Sequence, residues 1–217
     1  MSIRILLAED HGITRQGLCS LIEQHGDMEV VGEAEDGRKA IELVRQLVPD
    51  ILITDISMPN LNGIDATRQI VHDLPKTKVI ALSIHSKMPF VAGMLKAGAS
   101  GYLLKQCFFD ELLEAIQTVS VGGTYLSPKI AAAVVDSFIR GLEPVGNLPL
   151  DALSGREREV LQLIAEGKNT KEIALTLHVG SKAIEVNRRK IMQKLNTRSV
   201  AELVKIAVLG GLTSLES

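Results

Sequence analysis

The stretch ILITDISMPNLNG, residues 51–63, runs four apolar or β-branched residues into a single carboxylate, Asp55. A Met58-Pro59 turn follows and closes on Gly63. No basic residue lies nearby in sequence, so whatever balances or uses this charge must come from elsewhere in the chain. Other short apolar runs also end on chemistry-bearing residues: Glu9-Asp10 after the first, Ser83 after Val79–Leu82, and Lys105 after Gly101–Leu104. Three carboxylates gathered at one place repel each other and need a cation. An all-oxygen set with room for water suits Mg2+. Beside that ion Asp55 becomes a nucleophile toward a phosphoryl group. The metal and Lys105 would then offset charge on the transferring oxygens, and Ser83 would hydrogen-bond the product. Taken singly, a strand-terminal Asp is more often a cap or turn former, and a lone Lys a solvated loop residue. Joint placement at four strand ends is what favours the chemical reading.

The elements that must position these residues are legible from hydrophobic periodicity. Strand candidates are Ile3–Leu7, Met28–Val31, Ile51–Thr54, Val79–Ser83 and Gly101–Leu104, with amphipathic stretches near 14–25, 37–48, 64–73, 89–97 and 109–121. Ala40, Ile41, Leu43, Val44 and Leu47, for example, form one apolar stripe. Strands apolar on both faces and separated by helices predict an α/β fold with a doubly wound, five-stranded parallel sheet. In such a sheet ligands sit beyond the C-terminal strand ends, where Glu9, Asp10, Asp55, Ser83 and Lys105 fall. After Gly122-Gly123 a helix is expected from Pro128 to Arg140, and then a Pro- and Gly-rich linker, GLEPVGNLPLDA. Beyond it lie four helix candidates, near 154–166, 170–177, 181–195 and 199–210. Three of them open with capping-box spacing: Ser154…Glu157, Asn169…Glu172 and Ser199…Glu202. The expected organisation is a sheet domain at 1–122, a linker with a helix at 123–152, and a small all-α domain at 153–217.

The length of 217 residues suits two domains, and a 46% hydrophobic, 3% aromatic composition builds the cores from Leu, Ile, Val and Ala. Residues 1–140 carry 13 Lys and Arg against 17 Asp and Glu, net −4. Residues 141–217 carry 11 against 9, net +2. An acidic front and a mildly basic back point to two jobs. Cys19 and Cys107 fit neither a metal spacing nor a disulfide framework, and a reduced, cytoplasmic setting is expected. The opening MSIRILLAED turns charged too early for a signal peptide, and no run reaches the ~18 apolar residues of a membrane span.

Five motifs in order carry a family resemblance: ED at 9–10, D-x-x-M-P-x-x-x-G at 55–63, Ser83, GYLLK at 101–105, and LSGREREVLQLIAEG…KEIA at 153–174. Residues 1–121 resemble a CheY-like receiver domain and 153–212 a LuxR-type helix-turn-helix. The whole is similar to a response regulator of the NarL/FixJ family. The resemblance implies that Glu9, Asp10 and Asp55 hold Mg2+ and that Asp55 accepts phosphate from a partner histidine kinase. Ser83 would turn toward the phosphoryl group, Lys105 would pair with it, and Tyr102 would change its packing as the switch. Ser57 and His85 would flank the site and tune the phosphoryl lifetime. His11, His25, His72 and His178 are expected as surface or cap residues, and Cys107 as a packed thiol.

Helix 181–195, SKAIEVNRRKIMQKL, carries Lys182, Arg188, Arg189, Lys190 and Lys194 against one acid, Glu185. A charge run is often only a solvated face. Here a short helix and a Val-Gly turn precede it, which is helix-turn-helix geometry, and the second helix of such a pair enters the major groove of double-stranded DNA. The resemblance points Glu185, Val186 and Arg189 toward the groove and leaves Lys182, Arg188, Lys190 and Lys194 to phosphates. Asn187, where the family commonly has His, could pair with an adenine edge or merely pack. Gly180 and Ala183 depart from the common Ser and Thr. The last helix carries Val200, Leu203, Val204 and Ala207 along one side. The family pairs through this helix, which implies a homodimer reading promoter half-sites about one helical turn apart.

Two other readings compete. An Asp-nucleophile phosphatase of the haloacid dehalogenase type would have its nucleophile after the first strand and a second Asp two residues later, whereas Asp55 follows the third strand and has Ser57 there. A degenerate receiver that binds DNA without phosphorylation would lack part of the acidic pocket, and every part is present. The expected protein is a phosphorylation-switched transcription factor, with no enzymatic turnover on outside substrates.

Overall fold

Branched aliphatic residues give the sheet strands two apolar faces, and the alternation along each strand sorts them between two cores. The computed structural model describes residues 2–106, 109–139 and 149–213. The strands are β1 Ile3–Ala8, β2 Met28–Ala34, β3 Ile51–Thr54, β4 Lys78–Ser83, β5 Gly101–Leu104 and β6 Tyr125–Leu126, all parallel, in the order β2-β1-β3-β4-β5-β6. Leu6, Ala8, Leu52, Val79, Ala81 and Tyr102 face one core. Ile5, Leu7, Ile51, Ile53, Ile80, Leu82 and Leu103 face the other. The helices α2 (Gly37–Leu47), α3 (Gly63–Asp73) and α4 (Met88–Ala97) cover the first face, while α1 (Gly12–Glu23) and α5 (Phe109–Ser120) cover the second. This is the doubly wound architecture that the alternating periods predict.

The sheet has six strands, not five. β6 is two residues long and pairs in parallel with β5 (Gly101↔Tyr125, Tyr102↔Leu126). The helix that follows, α6 (Pro128–Ile139), buries Ile130 in the sheet core. The sheet unit therefore runs past residue 122 into the segment expected as linker. Two residues after a Gly pair carry no measurable period, which is why the sequence did not announce them. Most of the Pro- and Gly-rich stretch, and Cys107, fall outside the described residues.

The C-terminal unit begins with a 3-10 turn, Pro149–Ala152, and continues with α7 (Gly155–Ala165), α8 (Thr170–Thr176), α9 (Ser181–Lys194) and α10 (Val200–Leu209). Capping boxes start α7 and α8 as expected, at Ser154/Glu157 and Asn169/Glu172. At α10 only half of the box forms. The Ser199 hydroxyl accepts from the Glu202 N–H, but the Glu202 carboxylate turns to the Thr197 hydroxyl and the Arg198 N–H. Thr197 offers a nearer donor than the backbone of Ser199.

The two units touch through α7. The buried Gln162 side chain accepts from the Asn62 N–H and from Asn62 Nδ2, both at 2.9 Å, and donates to the Met58 carbonyl at 3.0 Å. Arg158 Nε lies 2.7 Å from Asp65 Oδ1, and Arg38 Nη2 lies 3.1 Å from Glu159 Oε2. Lys168 Nζ donates to Asn60 Oδ1 at 2.5 Å. A Cβ on Gly211, just past α10, would lie 2.8 Å from the Phe90 ring of α4.

Candidate functional site

Parallel strands of the central sheet end on one edge, and their next residues form a charged pocket there. β1 delivers Glu9 and Asp10, β3 delivers Asp55, β4 ends on Ser83, and Lys105 follows β5. Lys105 Nζ sits 2.7 Å from Glu9 Oε2 and 2.8 Å from Asp55 Oδ2, bridging two buried carboxylates. The other Asp55 oxygen accepts the Ile56 N–H at 2.6 Å. Burial raises the Glu9 pKa; the Lys105 ammonium opposes this, and the Asp55 charge adds to it. Burial works against the Lys105 ammonium, but Asp55 and Glu9 outweigh it and its pKa rises. Asp10 is partly open to solvent, and His11 Nδ1 lies 2.8 Å from its Oδ1 and 3.2 Å from Glu9 Oε1. His11 is largely exposed, as expected, yet its ring is turned onto the acids. The E-D-H adjacency was the only signal for that.

The loop after Asp55 is shaped by close backbone approach. A Cβ on Gly63 would lie 2.0 Å from the Asp55 carbonyl oxygen, so α3 can start beside the acid only with glycine there. Asn62 caps α3 by accepting from the Asp65 N–H.

Ser83 and Tyr102 meet at the backbone of His85. The His85 N–H donates to Ser83 Oγ at 3.2 Å, and the His85 carbonyl accepts the Tyr102 hydroxyl at 2.7 Å. The Tyr102 ring is fully buried, and that burial pushes its hydroxyl pKa upward. The His85 side chain reaches the other way. Its Nε2 is 2.8 Å from Ser57 Oγ, and its ring stacks on Phe90 at 4.0 Å and 8°. One residue thus joins Ser57, Ser83, Tyr102 and Phe90.

The donor set tests the expected ion. Side-chain donor atoms of Glu9, Asp10 and His11 lie within 4.8 Å of one another, and the Asp55 carboxylate is linked to Glu9 through one ammonium. Hard carboxylate oxygens on a partly open edge, with buried negative charge already drawing in a cation, fit Mg2+.

In the C-terminal unit α8 and α9 form a helix pair turned through His178, which takes a left-handed φ of 51°. Ile184, Ile191 and Leu195 fill the domain core. Lys182, Glu185, Val186, Arg188, Arg189 and Lys190 lie exposed on α9. Asn187 donates to the Ala183 carbonyl at 3.0 Å. Lys194, assigned to phosphates from the sequence, instead holds Glu157 at 2.6 Å. Of the four residues assigned to pairing, Leu203 and Ala207 are fully buried in the domain's own core, whereas Val200 is exposed and Val204 half-buried. A four-helix domain this small needs those two positions for itself. The contacts of Asn62, Asp65, Arg158 and Gln162 between units went unforeseen, because partners about 100 residues apart leave no mark on a local pattern.

Among the described residues no helix is long and apolar enough to cross a membrane. The family model of the response regulator receiver domain matches residues 5–117, and that of the bacterial regulatory proteins of the luxR family matches residues 151–207. The chain is 40% identical to the oxygen regulatory protein NreC of Staphylococcus carnosus, over 95% of this chain and 97% of that one. It is 36% identical to the transcriptional regulatory protein DegU of Brevibacillus brevis, covering 94% and 93%. Among solved structures it is similar to RcsB from Salmonella enterica serovar Typhimurium bound to promoter rprA in the presence of the phosphomimetic BeF3−. The TM-score there is 0.60, with 26% identity over 95% of this chain and 98% of that one.

Proposed function

Since the chain belongs to the response regulators that join a receiver to a LuxR-family regulatory domain, transcription regulators rather than enzymes, we propose that phosphate on Asp55 switches its binding to promoter DNA. The observation that carries this is the Lys105 ammonium seated between Glu9 and Asp55. The donor is a sensor histidine kinase: an Asp55 oxygen bonds to phosphorus as the P–N bond of phosphohistidine breaks, and the imidazole leaves with the electron pair. Glu9, Asp10 and Asp55 would hold Mg2+, and the ion would supply positive charge for the phosphoryl oxygens. Lys105 stays paired to the product.

Ser83 releases the His85 N–H for a phosphoryl oxygen. His85 also carries the Tyr102 hydroxyl, so the shift reaches Tyr102 through one backbone unit. His85 and Ser57 flank the reacting group and set how long the phosphate survives. On the DNA side, Glu185, Val186, Asn187 and Arg189 read base edges, and Lys182, Arg188 and Lys190 contact phosphates. That RcsB, to which the chain is similar, is bound to promoter rprA supports DNA as the partner. Two copies pair along α10 through Val200 and Val204, and the protein works in the cytoplasm as a homodimer on DNA.

The test is a gel shift on selected DNA, using wild type and Asp55→Asn, with and without a small phosphodonor and Mg2+. Wild type with the donor should shift DNA at lower protein concentration than in any other lane. Equal binding in every lane removes phosphorylation control.

A further inference from the structure

Arg15 sits where a helix would not choose a cation. It lies at the end of the first turn of α1, near the positive pole of the helix dipole, and that turn holds no acid. A residue that goes against its local surroundings in this way answers a demand from elsewhere in the fold. The demand comes from the end of β1. The sheet holds that strand through the Ala8 carbonyl, which accepts the Asp55 N–H at 2.8 Å, and through the Glu9 N–H, which donates to the Ala34 carbonyl at 3.0 Å. Strand pairing stops at Ala8, so the Glu9 carbonyl lies past the ladder. Arg15 Nη1 donates to it at 2.6 Å. Arg15 Nε lies 3.0 Å from Glu33 Oε2 on β2, so one planar guanidinium spans the end of β1 and the neighbouring strand. Its side chain is only 20% exposed.

What Arg15 holds is the peptide between Glu9 and Asp10, and the direction of that peptide sets where both carboxylates point. The Glu9 carboxylate is also tied to Lys105, whereas the Asp10 carboxylate leans on the exposed His11 ring. We propose that Arg15 is a positioning residue for the acidic pocket: it fixes the Glu9–Asp10 peptide so that both carboxylates meet a divalent cation, and Glu33 acts through it by orienting the guanidinium. This rests on the reading of Glu9, Asp10 and Asp55 as the ligands of that ion. Arg15 acts on the ligands before the ion arrives, so its loss lowers affinity for the ion and leaves the transfer rate at saturating ion unchanged. Charge and positioning predict opposite signs. Deleting a cation near three acids strengthens cation binding if charge alone matters, whereas deleting a brace weakens it.

The probe is Mn2+, titrated onto the full chain and followed by loss of the free-ion signal in electron paramagnetic resonance. Arg15→Met should weaken binding by about tenfold, the size typical when a group that holds a ligand is removed. Arg15→Lys keeps the charge and one donor, and should come within about threefold of wild type. Glu33→Gln should weaken binding by about threefold in the wild-type chain and no further in Arg15→Met, because it works through the arginine. Intact-protein mass spectrometry with phosphoramidate should show the Mg2+ concentration for half-maximal labelling rising as much as the Mn2+ affinity falls, with the saturated rate within about twofold. Unchanged or tighter Mn2+ binding in Arg15→Met overturns the proposal, as do additive losses in the double variant. Should Arg15→Met fail to fold, Glu33→Gln decides, and unchanged Mn2+ affinity in it overturns the proposal. Mn2+ binding that Asp10→Asn leaves intact overturns instead the reading of the strand-end acids as the ion's ligands.

Discussion

At the scale of single residues, His85 occupies an unusual position. Its N–H holds Ser83, its carbonyl holds Tyr102, and its ring joins Ser57 to Phe90. A side-chain truncation keeps both backbone contacts and removes the Ser57 bond and the stack. On the proposal that this ring flanks the phosphoryl site, His85→Ala should speed hydrolysis of the aspartyl phosphate. Losing one hydrogen bond's worth of order, about 1 kcal/mol in the barrier, gives roughly fivefold. Decay of phosphoprotein after donor removal measures it, and an unchanged half-life would remove the shielding role. The acids themselves were legible in the sequence because each ends an apolar run, and a strand end is a position that topology brings to a common edge. His85 was visible only as a neighbour of Ser83, since its hub role depends on backbone contacts that no spacing encodes.

Elements place these residues, and two of them make demands that can be measured. α3 starts so close to the Asp55 carbonyl that any Cβ at Gly63 forces backbone apart. Gly63→Ala should cost about 2–3 kcal/mol as overpacking and lower the unfolding midpoint by roughly 5–10 °C in calorimetry. An unchanged midpoint would mean the loop yields freely. In the C-terminal unit Glu157 caps α7 and meets Lys194. Burial raises its pKa, but the Lys194 and Ser154 hydrogen bonds prevail and hold it below the ordinary 4.5. A lowered carboxylate adds stability that is full above pH 4.5 and is lost as pH falls through the folded-state value. Thermal melts of wild type should therefore lose midpoint below pH 4.5, with a shallower loss in Glu157→Gln. Parallel curves would take the helix cap out of the acid response. The capping spacing at Ser154 and Asn169 was readable because both partners lie within one turn. At Ser199 a competing Thr197 hydroxyl redirected Glu202, and β6 was too short to show a period. The capping signal survives even where Glu157 also meets Lys194, and fails where a neighbouring hydroxyl competes.

For the whole molecule, the contact between units lies beyond what sequence pattern can carry, and one buried side chain makes most of its hydrogen bonds. Gln162 is fully buried and serves three polar partners on the opposite unit: the Asn62 N–H, the Asn62 amide and the Met58 carbonyl. Of the surrounding ion pairs, Arg38 with Glu159 is partly exposed and contributes little, whereas Arg158 with Asp65 is largely buried. In Gln162→Ala the closed form would bury the Asn62 N–H and the Met58 carbonyl unpaired, whereas the open form gives both to water. With 1–3 kcal/mol for each orphaned group, partly relieved by entering solvent, the closed state loses about 2 kcal/mol, roughly thirtyfold in the closed-to-open ratio. Alanine is the stronger helix former, so α7 itself should hold, which circular dichroism checks. Small-angle scattering should then show a larger radius of gyration for Gln162→Ala than for wild type without phosphodonor, and wild type should move toward it as Asp55 is phosphorylated. Identical scattering from both unphosphorylated chains would shift the hold on α7 to the charged pairs, and Arg158→Ala would then be the variant that opens. If Gln162 is the hold, the signal has a short path, because the Met58–Asn62 loop it grips begins three residues after Asp55, the proposed phosphoacceptor.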